Sequence, residues 1–221
     1  MRGSDAAPVR RGDARPARRR PRASALLLTL LLLAGCTTLK RCTYEGFGRD
    51  QWQEPERVVQ ALGLRPGNHV ADLGSGGGYF TFRLARAVGP TGKVYAVDID
   101  EAMNADLRAR AKEDGHQNVA VILAKPDDPL LPPGAIDLVF TSNTYHHLKD
   151  RTAYFARLGK SLKPDGRIAV IDFDSRGWMQ SVGHYTDPEA IKAEMRAAGY
   201  RLEREHTFLG KQSFLVFSRA G

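Results

Sequence analysis

The segment Val70-Ala71-Asp72-Leu73 is short, apolar and strand-like, and it runs straight into glycines at alternate positions, Gly74, Gly76 and Gly78. A helical period follows, with Phe80, Leu84 and Val88 on one face and Gly89-Pro90 as its stop. Strand, glycine turn and helix in that order make the opening unit of an α/β sheet. Glycines at such a turn let backbone N–H groups approach a polar or anionic ligand without side-chain obstruction.

The rest of the chain continues the alternation. Glu54-Pro55-Glu56 opens a helix that carries Val58, Val59, Ala61 and Leu62 and stops at Arg65-Pro66-Gly67. Beyond the glycine turn the pattern predicts a strand over 93–97, a helix over 101–114, strands over 119–123 and 136–141, a helix over 150–162, a strand over 167–172 and a helix over 188–198. Alternating strands and helices imply a mostly parallel sheet covered on both faces. The last two strands, about 200–208 and 213–218, are separated by only Leu209-Gly210-Lys211-Gln212, too short for a parallel crossover, so they form an antiparallel pair. The expected fold is α/β, a doubly wound, mostly parallel seven-stranded sheet with a C-terminal antiparallel hairpin. No internal repeat or second domain is expected within 50–221.

Charge enters through its distribution. The net +8 of the 221-residue chain is concentrated in residues 1–35, which hold eight Arg against Asp5 and Asp13, leaving the remainder at +2. A body so near neutrality gives no broad electrostatic footprint for DNA or RNA, and no nucleic-acid partner is expected. The Arg-rich stretch runs into an apolar segment over 25–34 and then Gly35-Cys36, the order of an export signal: basic region, short apolar core, small residues before cleavage. As a helix that core is about 15 Å long, half of what a membrane span needs. Residues 36–49 read as a tether.

Leu33-Ala34-Gly35-Cys36 resembles the bacterial lipobox. That resemblance implies lipidation of Cys36 and a membrane anchor, and Thr37 is similar to the class sorted to the outer membrane, facing the periplasm. A true start downstream of the leader would instead place the domain in the cytoplasm. With Cys36 so assigned, Cys42 is the one remaining thiol, which excludes an internal disulfide or a Cys-rich metal site.

Tyr79 stands where a dinucleotide fingerprint requires a small residue, and the third glycine comes one position early. Val70-Ala-Asp-Leu-Gly-Ser-Gly-Gly-Gly-Tyr-Phe80 instead resembles the first motif of class I S-adenosylmethionine-dependent methyltransferases, and the likeness extends over roughly residues 50–218. It implies S-adenosylmethionine as cofactor, with Gly74, Gly76 and Gly78 packing against its methionine part and Asp72 orienting its ammonium. Val94-Tyr-Ala-Val-Asp98 resembles the second motif, whose acid accepts hydrogen bonds from the ribose hydroxyls. The terminal hairpin is similar to the family's own and is absent from simple dinucleotide folds. Where many relatives carry an acid after the third strand this chain has Lys125, so Asp127 is the candidate for the adenine end, against an ordinary turn before Pro129.

After the fourth strand comes Ser142-Asn143-Thr144-Tyr145-His146-His147-Leu148, at the edge of the sheet where open α/β folds bind ligands. Asn143 is a candidate for lining the methionine end. His146 and His147 are candidates for taking a proton from the nucleophile, against a packing role ahead of the helix at Asp150. Asp172 and Asp174, after the fifth strand, are similar to the acids that with a histidine bind a hard cation in catechol-type relatives, but a solvated loop is the favoured reading and no metal is expected. Trp178, His184 and Tyr185 fall in a loop over 174–186 facing the substrate side, which Trp52 is placed to cover, against an ordinary role of the two tryptophans as core cover. The resemblance implies methyl transfer to a small-molecule or lipid-like acceptor; the alternative is an exported lipoprotein using the same pocket for binding alone.

Overall fold

The computed structural model describes residues 48–175 and 183–221. The leader, Cys36 and most of the tether lie outside the described residues, as does Trp178. A short helix α1 (Arg49–Gln53) and α2 (Pro55–Ala61) precede β1 (His69–Leu73), α3 (Thr81–Val88), β2 (Lys93–Asp98), α4 (Glu101–Glu113) and β3 (Val119–Leu123). The second half runs β4 (Ile136–Ser142), a single 3₁₀ turn (Tyr145–His147), α5 (Arg151–Leu158), β5 (Leu162–Phe173), α6 (Pro188–Ala197), β6 (Tyr200–His206) and β7 (Gln212–Arg219).

The sheet order is β3-β2-β1-β4-β5-β7-β6. β1 pairs parallel with both β2 and β4, and β7 enters antiparallel between β5 and β6. This is the doubly wound, mostly parallel sheet with a terminal antiparallel hairpin expected from the sequence. Its two halves diverge from β1 and β4, so the C-terminal ends of those strands flank the crevice where such sheets bind ligands.

Each inner strand is apolar on both sides because helices cover both faces. Val70, Leu138, Phe140, Ala169 and Val216 pack with Val58, Leu84 and Val88 of α2 and α3. Their neighbours Ala71, Val139, Val170 and Leu215 pack on the other face with Phe155, Leu158, Ile191 and Met195 of α5 and α6. Alternate residues thus serve separate cores, which explains why these strands read as continuous apolar runs. The edge strand β6 is different: Arg201, Glu203, Arg204 and Glu205 are exposed, a charged border that discourages edge-to-edge pairing.

Two expected boundaries differ by more than a residue or two. The helix expected over 150–162 ends at Leu158 and continues as a 3₁₀ turn over Gly159–Ser161. Tyr200 crosses at that point, donating its hydroxyl to the Phe155 carbonyl at 2.9 Å, and a Cβ on Gly159 would lie 3.0 Å from that hydroxyl. Strand β5 in turn begins at Leu162 rather than near 167, with a register shift against β4 that Lys163-Pro164-Asp165-Gly166 takes up.

Candidate functional site

The crevice is built from the loops after β1, β2 and β4, with the described residues that follow β5. Gly74, Gly76 and Gly78 all have positive φ (76°, 49° and 85°), a region that costs other residues strain. At Gly74 space decides as well: a Cβ would lie 2.1 Å from Oγ1 of Thr144 on the neighbouring loop. The N–H groups of Gly74 and Ser75 are held by the Val97 carbonyl at 2.8 and 3.2 Å, which fixes the turn against β2.

Asp98 ends β2. One carboxylate oxygen accepts the Gly76 N–H at 2.8 Å and the other accepts the Asp100 N–H at 2.9 Å, so the carboxylate bridges the glycine turn and the start of α4. Asp100 caps α4 through the N–H groups of Ala102 and Met103. Two large apolar side chains are left in solvent on this side, Ile99 at 63% and Leu123 at 45% exposure, and Leu123 is the direct β3 neighbour of Asp98. Sequence reasoning passed over both, although an isoleucine directly after a strand-ending acid is a readable signal.

Asp72 lies beneath the turn and is buried. Thr81 Oγ1 donates to it at 2.6 Å. Burial pushes its carboxyl up to about 6, against the lowering effects of the Thr81 hydroxyl and the Arg49 charge. Ser75 Oγ is buried with no hydrogen-bond partner among the described residues. A buried acid that favours a cation and an orphaned hydroxyl, both beside the glycine turn, fit a ligand carrying an ammonium and polar groups.

Helix α1 was not expected, and it docks on this turn. Gln53 is buried and donates to Ser142 Oγ at 2.8 Å, while Asp50 accepts the Tyr79 hydroxyl at 2.5 Å. The Arg49 guanidinium lies 3.9 Å from the centre of the Tyr79 ring. Trp52 packs on Phe173 at the end of β5, ring centres 5.5 Å apart, which places it by the crevice.

Asn143 follows β4 in a left-handed conformation (φ 57°), its N–H on the Ile171 carbonyl at 2.9 Å and its side-chain oxygen bonded to Gln212. His146 contacts Asp172 twice: its N–H donates to Oδ2 at 3.1 Å and its Nδ1 lies 2.7 Å from Oδ1. Thr186 donates its hydroxyl to the same Oδ2 at 3.0 Å. Asp172 and Asp174 are therefore buried, at 0% and 2% exposure, which corrects the expectation of a solvated loop. Extension of β5 to Phe173 draws both into the protein, and the bonds from His146 and Thr186 satisfy Asp172 there. His147 is exposed, packs against the His146 ring with centres 4.0 Å apart, and is held below the ordinary imidazole range by partial burial first and by neighbouring His146 and His184.

Asp127 occupies an exposed turn closed by reciprocal bonds between the backbones of Lys125 and Asp128. Among the described residues no hydrogen bond ties its carboxylate to Asp98 or the glycine turn. The crevice thus brings together Asp72, the three glycines, Asp98, Asn143, His146 and His147.

A family model described as a methyltransferase domain matches residues 64–212. The chain belongs to this methyltransferase-domain family, whose cofactor is S-adenosylmethionine. A structure of a SAM-dependent methyltransferase from Aquifex aeolicus superposes with a TM-score of 0.73 at 27% identity, covering 81% of this chain and 96% of that one. Nocamycin O-methyltransferase from Saccharothrix syringae is 38% identical over 114 residues, 52% of this chain and 41% of that protein. The ubiquinone/menaquinone biosynthesis C-methyltransferase UbiE of Psychromonas ingrahamii is 30% identical over 119 residues, 53% of this chain and 47% of that protein. The chain spans less than half the length of these curated relatives. Among the described residues no helix is long and apolar enough to cross a membrane.

Proposed function

We propose that this chain transfers the methyl group of S-adenosylmethionine to a small-molecule or lipid-like acceptor. The observation that carries the reading is Asp98, whose carboxylate is fixed by the Gly76 and Asp100 N–H groups at the mouth of the crevice. A carboxylate so held has lone pairs left for a pair of ribose hydroxyls. Exposed Ile99 and Leu123 beside it offer apolar surface to a flat base, and Asp127 is the further acid at that end. At the other end Asp72 would hold the amino group, with Ser75 and Asn143 as polar neighbours.

S-adenosylmethionine supplies an electrophilic methyl group, so the protein's task is alignment, desolvation and removal of the acceptor's proton. Proton removal falls to the histidines after β4. Asp172 engages Nδ1 of His146 and leaves Nε2 as the nitrogen that takes the proton, while the buried carboxylate compensates the imidazolium formed. His147 is the adjacent second candidate.

The leader adds a cellular setting. Leu33-Ala34-Gly35-Cys36 supports lipidation at Cys36 and attachment to the bacterial envelope, with Thr37 favouring the outer membrane. Calorimetric titration of the purified chain with S-adenosylmethionine, S-adenosylhomocysteine and NAD tests the cofactor reading. Micromolar binding of the first two alone is expected; no binding by a folded sample would overturn it.

A further inference from the structure

Asp172 organises more than His146. Thr186, bonded to Asp172 through its hydroxyl and to the Phe173 carbonyl through its N–H at 3.0 Å, fixes the end of the 174–186 loop two residues beyond His184. The His184 ring therefore faces both histidines of the 3₁₀ turn, with ring centres 5.4 Å from His146 and 5.4 Å from His147. One nitrogen from each of the three side chains lies within 4.8 Å of the other two. Three imidazoles from two loops thus converge over one buried carboxylate.

We propose that His146, His147 and His184 form a binding site for one divalent transition-metal ion, zinc by the nature of the donors, with a fourth position open to the acceptor. Imidazole is the donor class that zinc and its neighbours favour over calcium or magnesium. Three protein nitrogens and an open position are the arrangement of zinc sites that act on a ligand rather than only hold a fold. Zinc–nitrogen bonds of about 2.0–2.1 Å set tetrahedral nitrogens about 3.3 Å apart, a closure that side-chain rotation of the two exposed histidines, His147 and His184, supplies.

The carboxylate gives the second, independent support. Asp172 Oδ1 on Nδ1 of His146 selects the tautomer whose Nε2 lone pair is free for a metal, the carboxylate–histidine relation that orients and strengthens such ligands. The site deepens the proposed function, and its role rests on that reading. In the loaded protein the Nε2 lone pair of His146 is committed to the ion, so the acceptor is one whose oxygen or sulfur can ligate; the ion lowers the pKa of that group, its proton leaves to solvent, and the base role of His146 belongs to the metal-free protein.

The test uses the full chain, purified in detergent without a histidine tag and stripped with a chelator. Titration with zinc chloride should show one equivalent bound per chain, and cobalt(II) should give the visible absorption of a tetrahedral nitrogen site. Asp172→Asn should keep the stoichiometry and weaken zinc binding about 10–100-fold. His184→Ala and His147→Ala change exposed side chains, so the fold should persist by circular dichroism while zinc binding falls further still. No stoichiometric uptake by folded protein, or unchanged affinity in both histidine variants, would overturn the site. S-adenosylhomocysteine binding is measured on the same samples: retained without zinc uptake it overturns the metal site alone, and zinc uptake without it overturns the methyltransferase reading instead.

Discussion

Asp98 accepts the Gly76 N–H at 2.8 Å, so the acid that ends β2 and the glycine turn after β1 are held as one unit, 22 residues apart in sequence. The same carboxylate receives the Asp100 N–H at 2.9 Å.

Replacing Asp98 with Ala removes both acceptors and the proposed ribose contact. S-adenosylhomocysteine binding should weaken by about 1–3 kcal/mol by calorimetry. An unchanged affinity would remove Asp98 from the cofactor site.

Asp72 gives a pH dependence of definite sign. Its carboxyl is raised from 3.8 to about 6 by burial, so the folded protein holds that proton more tightly than the unfolded chain. Its contribution to stability is fully present below pH 3.8 and is lost as pH rises through about 6. Asp72→Asn should therefore raise the melting temperature at pH 7–8, by an amount equivalent to about 1–3 kcal/mol, while weakening cofactor binding. In the unaltered protein, cofactor affinity should fall as pH drops below about 6, because the amino group pairs with the ionised form.

Gly74→Ala places a methyl group 2.1 Å from Thr144 Oγ1 and 2.4 Å from its methyl carbon, at a φ of 76°. The variant should lose about 2–4 kcal/mol in denaturant unfolding. Adding Thr144→Gly should restore only part of this, since the backbone strain persists.

The Asp172–His146 pair predicts a tautomer. Nitrogen NMR of the metal-free protein should find the neutral imidazole of His146 carrying its proton on Nδ1 rather than Nε2, and Asp172→Asn should weaken that preference. A mixed tautomer in the unaltered protein would remove Asp172 as the group that positions this histidine.

Cys36→Ser should abolish lipid labelling and globomycin-sensitive processing in cells. Labelling that survives the substitution would end the lipoprotein assignment.

Local chemistry carried much of this into the sequence. Alternating apolar runs and helical periods placed all seven strands, because burial on both faces leaves each inner strand uniformly apolar. The glycine turn was equally visible, since all three positions have positive φ and a Cβ on Gly74 would also meet Thr144. Asp72 and Asp98 stood out as acids at the ends of apolar strands. Helix α1 escaped notice because five residues carry too short a period, and its docking depends on Gln53 reaching Ser142, 89 positions away.

The sequence by itself determined the order of strands and helices, the antiparallel hairpin and the residues around the glycine turn, all of which follow from periodicity, turn chemistry and short spacing. Only the tertiary structure decided that Asp172 is buried under His146 and Thr186, that His184 meets the two histidines after β4, and that Ile99 and Leu123 stand exposed beside Asp98. These relationships join residues on different strands and loops. They arise from the order β3-β2-β1-β4-β5-β7-β6, which brings distant loops to one edge of the sheet through the burial of two cores, and no local pattern encodes that proximity.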